Sequence, residues 1–132
     1  MIVQCLIQVT VVVENYDEAI QFYTQKLNFT LIEDTVLTNL KRWVVVSPPG
    51  STGCNLLLAK AVNDEQKSRV GNQTGGRVFL FLQTNNFAVD FDRLKKNGVT
   101  IIREPSVVEY GTVAVFADLY GNLWDLIEPS KN

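Results

Sequence analysis

The sequence predicts an α+β fold built from two copies of one pattern, each a strand, a helix and three further strands. Three observations lead there. Short β-branched or alternating segments dominate the chain. Two stretches of helical period each follow an asparagine suited to cap a helix, Asn15 and Asn86. Laying those caps on one another, an offset of 86 − 15 = 71, superimposes the order of elements in the two halves. A helix set against one face of a sheet gives an α+β architecture.

The first half opens on Leu6 to Val13, where Gln8 and Thr10 alternate with Val9, Val11 and Val13, so one face is dry and the other partly polar. Asn15 caps a helix, with Glu18 three residues on as in a capping box. Tyr16, Ala19, Ile20, Tyr23 and Leu27 share one face of it, and Asn28 is a left-handed terminator. Strands follow at Thr30 to Asp34, Arg42 to Ser47 and Cys54 to Ala59, the last two separated by a Pro48-Pro49-Gly50 turn. This module spans about residues 1–60. The polar stretch from 61 to about 76, ending in Gly75-Gly76, reads as a linker or mobile loop, and whether it closes over a site is left open.

The second module, about 77–132, repeats the order. Arg77 to Thr84 is a strand. Phe87, Phe91 and Leu94 line a helix that has Lys95 and Lys96 in its last turn and ends at Gly98. Val99 to Arg103, Thr112 to Ala117 and Leu123 to Glu128 are strands, the last two joined by an Asp118-to-Asn122 turn in which Asp118 and Gly121 are structural. A second offset, Gly53 on Gly121, is 121 − 53 = 68 and sets Leu57 on Asp125.

Composition narrows the function. With 132 residues, 46% of them hydrophobic, the chain is one ordinary domain with a real core. A net charge of −2 argues against nucleic acid or an anionic membrane as partner. There is no apolar run near the roughly 20 residues of a membrane span. The apolar N-terminus has no basic lead or cleavage site, so a cytoplasmic protein is expected. Cys5 and Cys54 lack metal-ligand spacing and read as reduced thiols, Cys5 as a small buried residue. Histidine is absent altogether, which removes Ser-His and Cys-His catalysis and the usual zinc and iron ligand.

Two runs resemble a known family. Asn15-Tyr16-Asp17-Glu18-Ala19-Ile20-Gln21-Phe22-Tyr23 with Lys26-Leu27-Asn28-Phe29 is similar to the first helix of the vicinal-oxygen-chelate superfamily, which includes glyoxalase I, extradiol dioxygenases, fosfomycin-modifying enzymes and bleomycin-resistance proteins. Phe116 to Leu126 resembles its closing hairpin. The resemblance implies two βαβββ modules forming a cupped mixed sheet with helices on the outer face. It also implies a homodimer, and a metal held at four stations on the first and last strands of the modules. Those stations fall here on Gln8, Leu57, Phe79 and Asp125, with Asn55 an alternative to Leu57. Only Asp125 is a good hard-metal ligand, and one carboxylate with an amide does not offset the dehydration of a divalent ion. No metal and no cofactor are therefore expected.

Alternation then lines the cup with Gln8, Thr10, Asn55, Leu57, Phe79, Phe81, Gln83 and Asp125, and places Trp43 and Tyr110 at its mouth. Each has a structural alternative. The phenylalanines fill core, Gln8 is a satisfied core amide, Trp43 and Tyr110 pack at strand ends, and Asp125 pairs with Arg77 or Arg42. The leading expectation is a metal-free binder of a small, planar or cationic molecule, similar to bleomycin-resistance proteins. The alternative is a glyoxalase-like metal-dependent lyase or isomerase with substituted ligands. A metal-free enzyme with Asp125 as base and a protein-interaction module were the further readings.

Overall fold

The computed structural model describes residues 1–131; the C-terminal boundary drawn at residue 132 lies outside them. The chain divides into two compact units, Met1–Val70 and a second beginning at Gly71. Each is a four-stranded mixed sheet. In the first, β1 (Gln8–Val13), β2 (Thr30–Val36), β3 (Arg42–Ser47) and β4 (Asn55–Lys60) lie in the order β1-β4-β3-β2. In the second, β5 (Val78–Gln83), β6 (Thr100–Val108), β7 (Gly111–Ala117) and β8 (Leu123–Pro129) lie in the order β5-β8-β7-β6. The outer pairs β1–β4 and β5–β8 are parallel and the other pairs antiparallel. Both units thus have the βαβββ order expected from the sequence.

In the first unit, α1 (Tyr16–Gln21) lies against β3 and β4. Asn15 Oδ1 accepts from the Glu18 N–H at 3.0 Å, as the capping pattern predicts. The helix continues from Phe22 to Lys26 as a π-helical turn, which the sequence reading did not anticipate; Thr24 Oγ1 donates to the Ile20 carbonyl there at 2.7 Å. Asn28 ends it at φ 62°. The face under the helix is dry: Val11, Val13, Val44, Val46, Leu56 and Leu58 are all buried, with Ala19 and Tyr23 above them. Arg42 fastens the rim. Its guanidinium donates to both Asp34 oxygens at 3.1 and 2.7 Å and to Asp17 at 2.9 Å, over the Tyr16 ring. Its pKa is held up by Asp34 first and Asp17 second.

In the second unit, α3 (Phe87–Lys96) packs on β6 and β8, capped by Asn86 and by Glu128, whose Oε1 accepts from the Phe87 N–H at 2.7 Å. Ala114, Phe116, Trp124 and Leu126 form the dry face, with the Phe116 and Trp124 rings stacked 5.8 Å apart. The β7–β8 turn is organised by one buried carboxylate. Asp118 Oδ1 accepts from the N–H groups of Tyr120, Gly121 and Asn122 at 3.0 to 3.1 Å. Its Oδ2 accepts from the Asn122 amide at 3.0 Å and the Trp124 indole at 3.5 Å. Gly71 (φ 71°) lies so close to this turn that a Cβ would fall 1.8 Å from the Tyr120 carbonyl oxygen, so only glycine fits.

Three expectations are corrected. The stretch read as a linker contains α2 (Asp64–Arg69), capped by Asn63 and lying near β1; its helix signal was an Asn cap with two acids in the first turn. The first strand begins at Gln8 rather than Leu6, because residues 1–6 have no paired neighbour. Cys5 is accordingly exposed rather than buried, and Leu6, read as the first residue of the strand, is exposed as well. The strand ending at Arg103 in the sequence reading runs to Val108, past Pro105, which an edge strand tolerates. Among the described residues no helix is long and apolar enough to cross a membrane.

Asp118→Ala should remove acceptors from several buried donors at once and lower stability by about 2–4 kcal/mol. Urea unfolding with an unchanged slope checks this, and a loss below about 1 kcal/mol would contradict it.

Candidate functional site

The helix-free face of each sheet is where the chemistry collects, and strand register sets it out in rows. In the second unit Arg103 on β6 lies opposite Val115 on β7, which lies opposite Asp125 on β8, which lies opposite Phe81 on β5. The matching row in the first unit is Glu33, Val45, Leu57 and Thr10. The cap offset (10 + 71 = 81) and the glycine offset (57 + 68 = 125) therefore reproduce the register of the outer pairs. β2 and β6 follow an offset of 103 − 33 = 70, and each is bulged immediately before its charged residue, between Leu31 and Glu33 and between Ile101 and Arg103.

Phe81 is 70% exposed, an aromatic surface rising from a sheet edge. Beside it Asp125 Oδ1 is sealed from solvent and has no hydrogen-bond partner among the described residues. Loss of solvent pushes this carboxyl up from its ordinary value of 3.8, and the Arg103 charge pulls it back in part. Arg103 itself has no hydrogen bond or ion pair among the described residues. Further along the same face Gln83 lies opposite Ile127 and is exposed. A bulge between Val78 and Leu80 leaves Phe79 without a directly opposed residue and half-buried.

The sequence-predicted residues thus separate into groups. Phe81, Asp125 and Gln83 come together, with Phe79 at the bulged end of the same strand. In the first unit Gln8 lies opposite Asn55, and Thr10 opposite Leu57; Thr10 is exposed and the others half-buried. Trp43, the second residue of β3, lies opposite Thr35 and is half-buried. Tyr110 occupies the β6–β7 turn, five residues before Val115 and so about 16 Å along the strand from the Asp125 row. Asp125 was expected to pair with Arg77 or Arg42; Arg42 is taken by Asp17 and Asp34, Asp125 forms no ion pair among the described residues, and the charge that bears on it is that of Arg103. Strict alternation hid Arg103, because the bulge reverses its face. The repeat held the signal: Leu31-Ile32-Glu33 and Ile101-Ile102-Arg103 match in pattern, and Ile32 and Ile102 are similarly exposed, at 55% and 53%.

A separate cavity of about 290 Å³ in the first unit is bordered by Asn15, Tyr16, Lys41, Arg42 and Lys60 among others, and none of the predicted site residues lines it. Among the described residues no three His, Cys, Asp or Glu groups cluster suitably for a metal ion, and the one carboxylate at a family station has an arginine on its face.

The glyoxalase/bleomycin resistance protein/dioxygenase superfamily model matches residues 6–126. An uncharacterized protein of Shewanella frigidimarina is 56% identical over 95% of this chain and 93% of its own length. Among solved structures, UcmS2 superposes with a TM-score of 0.82 at 30% identity, covering 96% of this chain and 98% of its own. TnmS3, an antibiotic binding protein from Streptomyces sp. CB03234, gives 0.78 at 27% identity, covering 98% of this chain and 99% of its own.

Because the folded carboxyl of Asp125 holds its proton to a higher pH than the unfolded one, protonation favours the native state. This stability is fully present below the unfolded value and is lost as pH rises through the folded one. Asp125→Asn cannot ionise. It is expected to melt above the parent at neutral pH, the gap closing as pH falls towards 3.8. A gap that stays constant across a pH series of melts would contradict the assignment.

Proposed function

We propose that this chain, which belongs to the glyoxalase/bleomycin resistance protein/dioxygenase superfamily, is a metal-free binding protein that sequesters a planar small molecule. The observation that supports it most is the exposed Phe81 ring standing beside a carboxylate that has no hydrogen-bond partner among the described residues. An apolar platform with one oriented polar group is how a binding site fixes a flat ligand. The likeness to TnmS3 supports the same reading. The donor chemistry supports the absence of a metal, since Leu57 and Phe79, at the stations that the family resemblance implies, supply no ligand atoms.

Titration of a planar aromatic panel, followed by calorimetry and by the fluorescence of Trp43 and Trp124, tests the reading. At least one member is expected to bind with a Kd on the order of micromolar. Phe81→Ala should weaken that binding about ten-fold, the size of a lost stacking contact, without lowering the melting temperature, because the ring is exposed. Failure of every panel member to bind would overturn the proposal. Protein purified without chelator and then offered zinc, nickel, manganese or iron should retain less than about a tenth of an equivalent. One full equivalent lost on Asp125→Ala would instead favour a glyoxalase-like enzyme.

A further inference from the structure

Resting on that reading, we propose that the second unit's face selects an uncharged planar ring whose edge presents a hydrogen-bond donor beside an acceptor, such as an aromatic lactam, over an organic cation. The row Phe81–Asp125–Val115–Arg103 defines three functions in order across the sheet. Phe81 supplies the stacking surface on β5. One strand over, about 4.8 Å away, stands the Asp125 carboxylate, which accepts no hydrogen bond from a described residue. Two strands further, roughly 10 Å from Asp125 before its side chain extends, Arg103 offers N–H groups that no described residue accepts. Val115, buried between them, keeps the floor apolar.

Charge decides the ligand class. Asp125 alone would favour a cation above Phe81, through ion pairing and cation–π attraction. Arg103 on the same face makes the row neutral in sum and repels a cation drawn to Asp125. A neutral ring that donates to the Asp125 carboxylate and accepts from Arg103 satisfies both groups without bringing a charge into a partly dehydrated place. A lactam N–H beside its own C=O has this arrangement on one edge.

A matched set of three-ring probes tests it by calorimetry on the full chain: 6(5H)-phenanthridinone, its N-methyl derivative, which lacks the donor, and the N-methylphenanthridinium cation. The lactam is expected to bind at least ten-fold more tightly than either of the others. Asp125→Ala should erase its advantage over the N-methyl lactam, and Arg103→Gln should improve binding of the cation by several-fold. Melting curves establish that both variants are folded, and each variant reads a different half of the proposal. Equal affinities for all three probes, or tightest binding of the cation, would overturn this inference while leaving a planar-ligand binder standing. No binding of any probe by the parent protein would overturn both.

Discussion

The parallel pairing of first and last strands is the constraint from which the rest of each unit follows. A tight turn cannot join parallel strands, so the chain must leave β1, cross the sheet and return. In the order β1-β4-β3-β2 the connection from β1 to β2 runs between opposite edges, and α1 makes that crossing. The same holds for β5, α3 and β6. Helical cover therefore goes to one face of each sheet, where valine, leucine, phenylalanine and tryptophan side chains are buried. The other face is not covered by α1 or α3. Its residues are released from the demand for a dry core, and that is where polar and exposed aromatic side chains occur.

Because the scaffold is repeated, corresponding rows can be compared residue by residue. The bulges in β2 and β6 occupy the same place, and each turns a charged residue onto the helix-free face. The charges differ: Glu33 in the first unit, Arg103 in the second. Thr10 and Leu57 likewise correspond to Phe81 and Asp125. Geometry is conserved between the two halves of one chain while the chemistry on it is not. Among the described residues the second unit combines an exposed ring, an acceptor with no donor and an arginine side chain with no acceptor.

Much of this was legible in the sequence because it depends on local rules. Caps at Asn15 and Asn86, the left-handed Asn28 and the Asp118 turn are each dictated by side-chain reach or backbone geometry within about four residues, and each was placed correctly. The alternation in β1 gave the right faces, since Val11 and Val13 are buried and Thr10 is exposed. What escaped depends on irregularity or on a partner. A bulge shifts the period by one residue and reverses every face beyond it, so Arg103 could not be found from alternation. The failure of Met1–Ile7 to extend β1 and the exposure of Cys5 depend on where a neighbouring strand ends, which no residue in that run encodes. The π-helical turn at Phe22–Lys26 has no compositional signature that separates it from an ordinary helix.

Two aspartates in the second unit show how the fold and the site make opposite demands on the same side chain. Asp118 is buried and accepts from backbone, amide and indole donors, so its charge is met on all sides and its burial favours the native state. Asp125, on the strand that follows, has one oxygen shut away with nothing donated to it, an arrangement that costs a folded protein about 1–3 kcal/mol. The neighbouring strands offer Val115 and Phe81, either of which would pack equally well against a leucine at that position. In the first unit the equivalent position is Leu57, so the fold does accept a leucine there. A carboxylate on a scaffold that accommodates an apolar residue costs stability, which the Arg103 charge offsets only in part. Under the binding reading proposed above, a ring that donates to this carboxylate would offset that cost.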